Sequence, residues 1–127
     1  DEAGLTLLAS ILSSPAGFEN CMNSQGQLAS AGYNVDQGSS CALSGTGDRS
    51  GFDPRLAVLG PNGGPTLTHA LGAGSPAIDR APAPVCPPAD QRGIARPQTG
   101  VCDAGAYEAP PGEPGGVLRQ LFPSVIR

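Results

Sequence analysis

The 127-residue chain has no tryptophan and no lysine, one histidine, one methionine, three phenylalanines and two tyrosines. With so few rings its core must be small and aliphatic, because aromatic side chains supply much of the area that large cores bury. All seven basic residues are Arg and the formal net charge is −4. That balance argues against a nucleic-acid partner, since phosphate neutralisation needs clustered basic residues. A single His and the lack of any CxxC pair leave too few suitably spaced ligands for a zinc site. No apolar run approaches the roughly 20 residues of a membrane-spanning helix, so no membrane span is expected. Nothing in the chain calls for a cofactor or a metal.

Glycine (19) and proline (14) are what the chain has in abundance. Both are poor helix formers, so turns, short strands and irregular loops are the expected output. Four cysteines, Cys21, Cys41, Cys86 and Cys102, in a small loop-rich chain point to disulfides and an oxidising compartment. Three connectivities are possible; proximity favours Cys21–Cys41 and Cys86–Cys102, each worth about 3 kcal/mol in the chain-entropy account. Free thiols are the competing reading.

Along the chain, residues 5–12, "LTLLASIL", predict a short, largely buried strand, with a helical turn as the alternative. Residues 15–41 read as a disulfide-bracketed hairpin or loop around the strand-like "LASAGYNV", and residues 42–52 as a polar loop. "DPRLAVLG" at 53–60 starts on an Asp-Pro turn and continues apolar. "APAPVCPPAD" forbids helix and central strand alike. Residues 90–108 end on a strand-like "AGAYE". Residues 1–108 therefore form the structured region, and 109–127 a Pro/Gly linker with a short apolar tail. A core this small predicts association with something larger or with copies of itself. The abrupt start, "DEAGLTLLAS", reads as that of a piece of a longer precursor.

Several stretches occur in a telling order: Gly32-Tyr33-Asn34, Asp53-Pro54, "PNGGPT" at 61–66, His69-Ala70-Leu71, "GSPAID" at 74–79, "DQRG" at 90–93, Arg96-Pro97 and "CDAGAYE" at 102–108. Together they resemble the carboxy-terminal signature of bacterial surface proteins. These are the right-handed parallel β-helix proteins of the choice-of-anchor Q type, which are polymorphic outer-membrane-protein-like. The resemblance implies an all-β fold: terminal rungs of a solenoid followed by an irregular cap, with further rungs upstream. It also implies an extracellular or cell-surface location.

Candidate chemistry is sparse. His69 could serve as a general base, but in "THAL" it more naturally fixes a turn through a backbone hydrogen bond. "GPNGGP" lacks the GK[ST] ending of a phosphate loop and reads as turns. The polar group Asp79, Arg80, Asp90, Arg92, Arg96, Asp103 and Glu108 is expected to form structural ion pairs. In these, Arg92 and Arg96 hold Asp79, Asp90, Asp103 or Glu108 and pin the loops. A calcium ion on the same carboxylates is the alternative. The expected role is a non-catalytic structural or assembly module, adhesin-like or self-associating into a surface layer or filament. Its partners would be upstream rungs, copies of itself, or surface glycans. A polysaccharide lyase or glycosidase using Asp79, Asp103 and Arg92, or a passive glycan-binding module, is the competing reading.

Overall fold

A computed structural model describes residues 3–22 and 27–112. The chain is all-β and loop-rich, with nine short strands and one 3-10 turn among these residues. The first half is parallel. Strand β1 (Gly4–Leu8) pairs with β3 (Gln27–Gly32), Gly4 opposite Gln27. After a corner, β2 (Ile11–Leu12) pairs with β4 (Val35–Asp36), which pairs in turn with β5 (Arg49–Ser50). Two small parallel sheets thus lie on either side of a stack of corners.

The corners repeat. Ala9, Tyr33 and Gly47 all have positive φ, at 46°, 62° and 74°, a left-handed bend that turns the chain from one sheet to the next. The residue after each bend is captured from the turn above. Asn34 Oδ1 accepts the Ser10 amide at 2.9 Å, and Asp48 Oδ1 accepts the Asn34 amide at 2.9 Å. Asn34 also donates to the Leu7 carbonyl, to Ser30 and to Asp48. It is fully buried, so these bonds satisfy an amide that would otherwise cost about 1–3 kcal/mol.

The second half runs antiparallel. Strand β6 (Leu56–Gly60) pairs with β7 (Thr68–Leu71), and β8 (Ala81–Pro82) with β9 (Val101–Cys102). The 3-10 turn Ala83–Val85 follows β8, with prolines flanking and inside it. The central core is Val35, Ala77 and Ala104, with Ile11 and Leu71 packed against it. Two disulfides, Cys21–Cys41 and Cys86–Cys102, close loops of 20 and 16 residues, one in each half.

Several local expectations are corrected. Residues 5–12 form two strands, because the bend at Ala9 divides them. Of the hairpin or loop expected over residues 15–41, the hairpin is excluded: the strand within it, β3, pairs in parallel with β1, a crossover that turn residues do not encode. The polar loop 42–52 carries β5 and the corner acid Asp48. "AGAYE" is not a strand; its amides and carbonyls are engaged by side chains and by distant loops. Ala109 is buried and bonded to Asp103, so the ordered packing passes residue 108. The chain from 113 on, which includes the whole apolar tail, lies outside the described residues.

Candidate functional site

Residues 90–109 hold most of the buried charge. Asp90 is 8% exposed. Its Oδ1 accepts the Arg92 and Ile94 amides, and its Oδ2 accepts Arg92 Nε and NH2 and the Glu108 amide. Burial alone would push this carboxyl up. The donors from Glu108, Arg92 and Ile94 outweigh it and hold the group below its ordinary range. Arg92 also donates to the carbonyls of Asn62 (3.1 Å) and Glu108 (2.7 Å), and its guanidinium lies 3.8 Å over the Tyr107 ring. One guanidinium thereby fastens "DQRG", "PNGG" and "AYE" together, which needs the planar five-donor fork of Arg.

The glycine pair in "PNGG" is part of the same joint. A Cβ on Gly64 would stand 2.7 Å from Arg92 Cα, and its φ is +74°. Gln91 extends the joint: its side chain donates to Thr66 Oγ1 at 2.7 Å, and its amide donates to the Ala106 carbonyl.

Arg96 and Glu108 form the second buried pair, 2.8 Å apart with side chains 5% and 2% exposed. Arg96 also donates to the Gly105 carbonyl, and Glu108 Oε2 accepts the Asp103 amide. Asp103 has no arginine. Its two oxygens accept the amides of Asp79 (2.8 Å) and Ala109 (2.6 Å). Burial pushes its carboxyl up to about 6, with the charges of Glu108 and Asp79 adding to the rise against those two amide bonds. A pocket of about 250 Å³, lined in part by Asp79, Asp103, Glu108, Gln98 and Pro110, opens beside it.

The ion-pair expectation therefore needs correcting at two positions. Arg92 pairs with Asp90 and Arg96 with Glu108. Asp79 is exposed and joins the network through its backbone amide alone, because its left-handed φ of 54° turns that amide to Asp103. Asp103 is engaged by amides rather than by a cation. His69, exposed on β7, contacts the Ala57 carbonyl through Nδ1 at 2.7 Å. It borders an open groove of about 820 Å³ between the β6–β7 hairpin and residues 105–107. Among the described residues, no group of three or more His, Cys, Asp or Glu side chains is gathered to hold a metal ion, and no helix is long and apolar enough to cross a membrane.

The corner residues Asn34 and Asp48 carry a connected polar network that the sequence reading did not single out as a site. Asp48 also accepts Ser30 Oγ and the Gly45 amide. The available signal was Asp three residues after Gly45 in "GTGD", a turn-capping pattern. Chemically, every buried acid of the 90–109 network is occupied by amides or guanidinium groups. No family model, curated protein or solved structure matches the chain.

Proposed function

We propose that the chain is a non-catalytic structural module: the carboxy-terminal rungs and cap of an extracellular or cell-surface right-handed parallel β-helix protein, adhesin-like or self-associating. The observation that carries this reading is the corner ladder. Ser10, Asn34 and Asp48 succeed one another in three stacked turns, each captured by the next, between parallel strands. Parallel strands joined by crossovers take a right-handed path in nearly all known cases. Beyond Leu56 the pairing turns antiparallel and the chain is fastened by ion pairs, as suits a terminal unit that covers the end of a stack. Two disulfides favour an oxidising, extracellular setting,.

Among the described residues β1 pairs with β3 alone and β2 with β4 alone. Their outer edges are where upstream rungs or a second copy would join. Sedimentation from micromolar to millimolar concentration tests self-association. Reversible assembly is expected, and Thr6→Pro on the outer edge of β1 abolishes it. A monomer throughout removes the self-associating variant. The enzyme alternative falls if neither pectin-like nor other acidic glycans are turned over; turnover lost in a folded Asp103→Asn variant would overturn the non-catalytic reading.

A further inference from the structure

Asp36, the second residue of β4, is 0% exposed and pairs with no cation among the described residues. Its Oδ1 accepts Asn20 Nδ2 at 2.5 Å and the Gly38 amide at 3.0 Å. Its Oδ2 is buried with no hydrogen-bond partner. Asp103 also lacks an arginine, but both of its oxygens accept amides. Arg49, on the neighbouring strand β5, stands opposite Val35 rather than Asp36 and is exposed. A carboxylate removed from water is costly unless it is paired or bound to a metal ion.

A second orphaned acceptor belongs to the residue bonded to it. Asn20 Oδ1 is buried without a partner. Its amide cannot be turned over to relieve this, because Nδ2 donates to both the Leu12 carbonyl (3.0 Å) and Asp36 Oδ1; the reverse orientation sets oxygen against oxygen at both contacts. The backbone beside it is tied down as well. The Cys21 amide donates to Ser40 Oγ, and Cys21 is bridged to Cys41. Each orphaned oxygen shares its carbon with one end of the Asn20–Asp36 bond, so both lie beside that one contact. A water molecule would supply hydrogen bonds there but would leave the carboxylate charge unopposed. Calcium takes amide and carbonyl oxygens and water as well as carboxylates, so a site with one acid suffices for it. Asn20, Cys21, Ser40 and Cys41 also line an open groove of about 630 Å³, which provides an entry path and water for the remaining coordination positions.

The geometry points to a calcium site at the Asn20–Asp36 contact, with Asp36 Oδ2 as its charged ligand and Asn20 Oδ1 as a neutral one. The ion would join β4 to the segment after β2, beside the Cys21–Cys41 bridge. The site does not depend on the cap role, since it uses side chains within the stack rather than its strand edges. It is also distinct from the Asp79, Asp103 and Glu108 carboxyls, so the test separates the two places.

Thermal unfolding of the full chain is followed at pH 7 without reductant, in EDTA, in 10 mM CaCl2, and in NaCl of matched ionic strength. Calcium is expected to raise the midpoint by about 5 °C over NaCl, the size given by a site of millimolar affinity. Asp36→Asn and Asn20→Ala each abolish most of that rise, whereas Asp103→Asn keeps it. Asn20 is only half-buried, so its variant keeps the test decisive if Asp36→Asn does not fold. Asn20→Asp adds a second carboxylate beside the first, so its calcium-free form is the less stable and its calcium-induced rise is larger than that of wild type. No rise beyond matched NaCl overturns the site, as does a rise that survives in both Asp36→Asn and Asn20→Ala. A rise lost in Asp103→Asn but kept in Asn20→Ala places the ion beside Asp103 and overturns it too.

Discussion

Asp103 gives the fold a pH dependence opposite to that of Asp48 and Asp90, and Asp103→Asn isolates it. The Asp103 carboxyl moves from an ordinary 3.8 to about 6 on folding. A group whose folded pKa exceeds its unfolded one stabilises the fold fully below the unfolded value. That contribution is lost as the pH rises through the folded value. The window therefore runs from about pH 4 to about pH 6,. The whole difference corresponds to about 3 kcal/mol. Solvent in the adjoining pocket screens it to roughly 1–2 kcal/mol. Asp48 and Asp90, whose carboxyls are held down, contribute stability at neutral pH and lose it as the pH falls through their folded values. The combined contribution of these three carboxyls is therefore greatest between the two regimes, near the lower end of the Asp103 window,.

Asparagine cannot ionise, so the slope due to Asp103 disappears in the variant. At pH 7 the relief of a buried charge is opposed by the Ala109 amide, which then faces a side-chain NH2 at a cost of about 1–3 kcal/mol. The slope, not the neutral-pH stability, is the readout. Urea unfolding without reductant, in small pH steps from 4 to 7, gives both curves. Wild type should lose about 1–2 kcal/mol across the window relative to the variant. Titrating groups remote from Asp103 are common to the two proteins and cancel. A wild-type curve parallel to that of Asp103→Asn would refute the assignment.

Gly64→Ala should destabilise the fold by about 2 kcal/mol or more, because the added carbon meets Arg92 Cα and the left-handed φ is strained for alanine,; thermal denaturation measures it. Arg92→Lys should cost about 3 kcal/mol, since an ammonium cannot hold Asp90 bidentately while reaching the Asn62 and Glu108 carbonyls and stacking on Tyr107,. Urea midpoints check it, and a loss no larger than that of an exposed Arg55→Lys change would count against the joint.

What the sequence discloses here depends on how local the interaction is. Turn residues, the scarcity of helix and cysteines 20 and 16 residues apart are all local features. The grouping of "PNGG", "DQRG" and "GAYE" is legible as a set of co-occurring motifs, although their joint is made through Arg92 across 30 residues to Asn62. Strand direction is not local. A run such as "LASAG" looks alike in a hairpin or in a crossover, and the distinction arises from pairing with Gly4–Leu8. Partner choice among buried acids is equally hidden. Asp79 and Asp103 look as able to meet an arginine as Asp90 does, and backbone conformation at residue 79 decides otherwise.

The edge of β1 that is unpaired among the described residues carries a consequence in symmetry. Two copies that meet through the same edge are related by a two-fold axis, which sets the two β1 strands antiparallel. Such a contact is isologous: it uses the free edge of each partner at once and closes at a dimer. Continuing the parallel direction of the β1–β3 pair beyond Gly4–Leu8 would instead take a different segment, with its own strand placed against that edge. A filament built from this chain would need a second, unlike surface to propagate. The polarity of a single strand thus separates three assemblies by mass alone: a closed pair, an endless array, and a unit completed by sequence upstream.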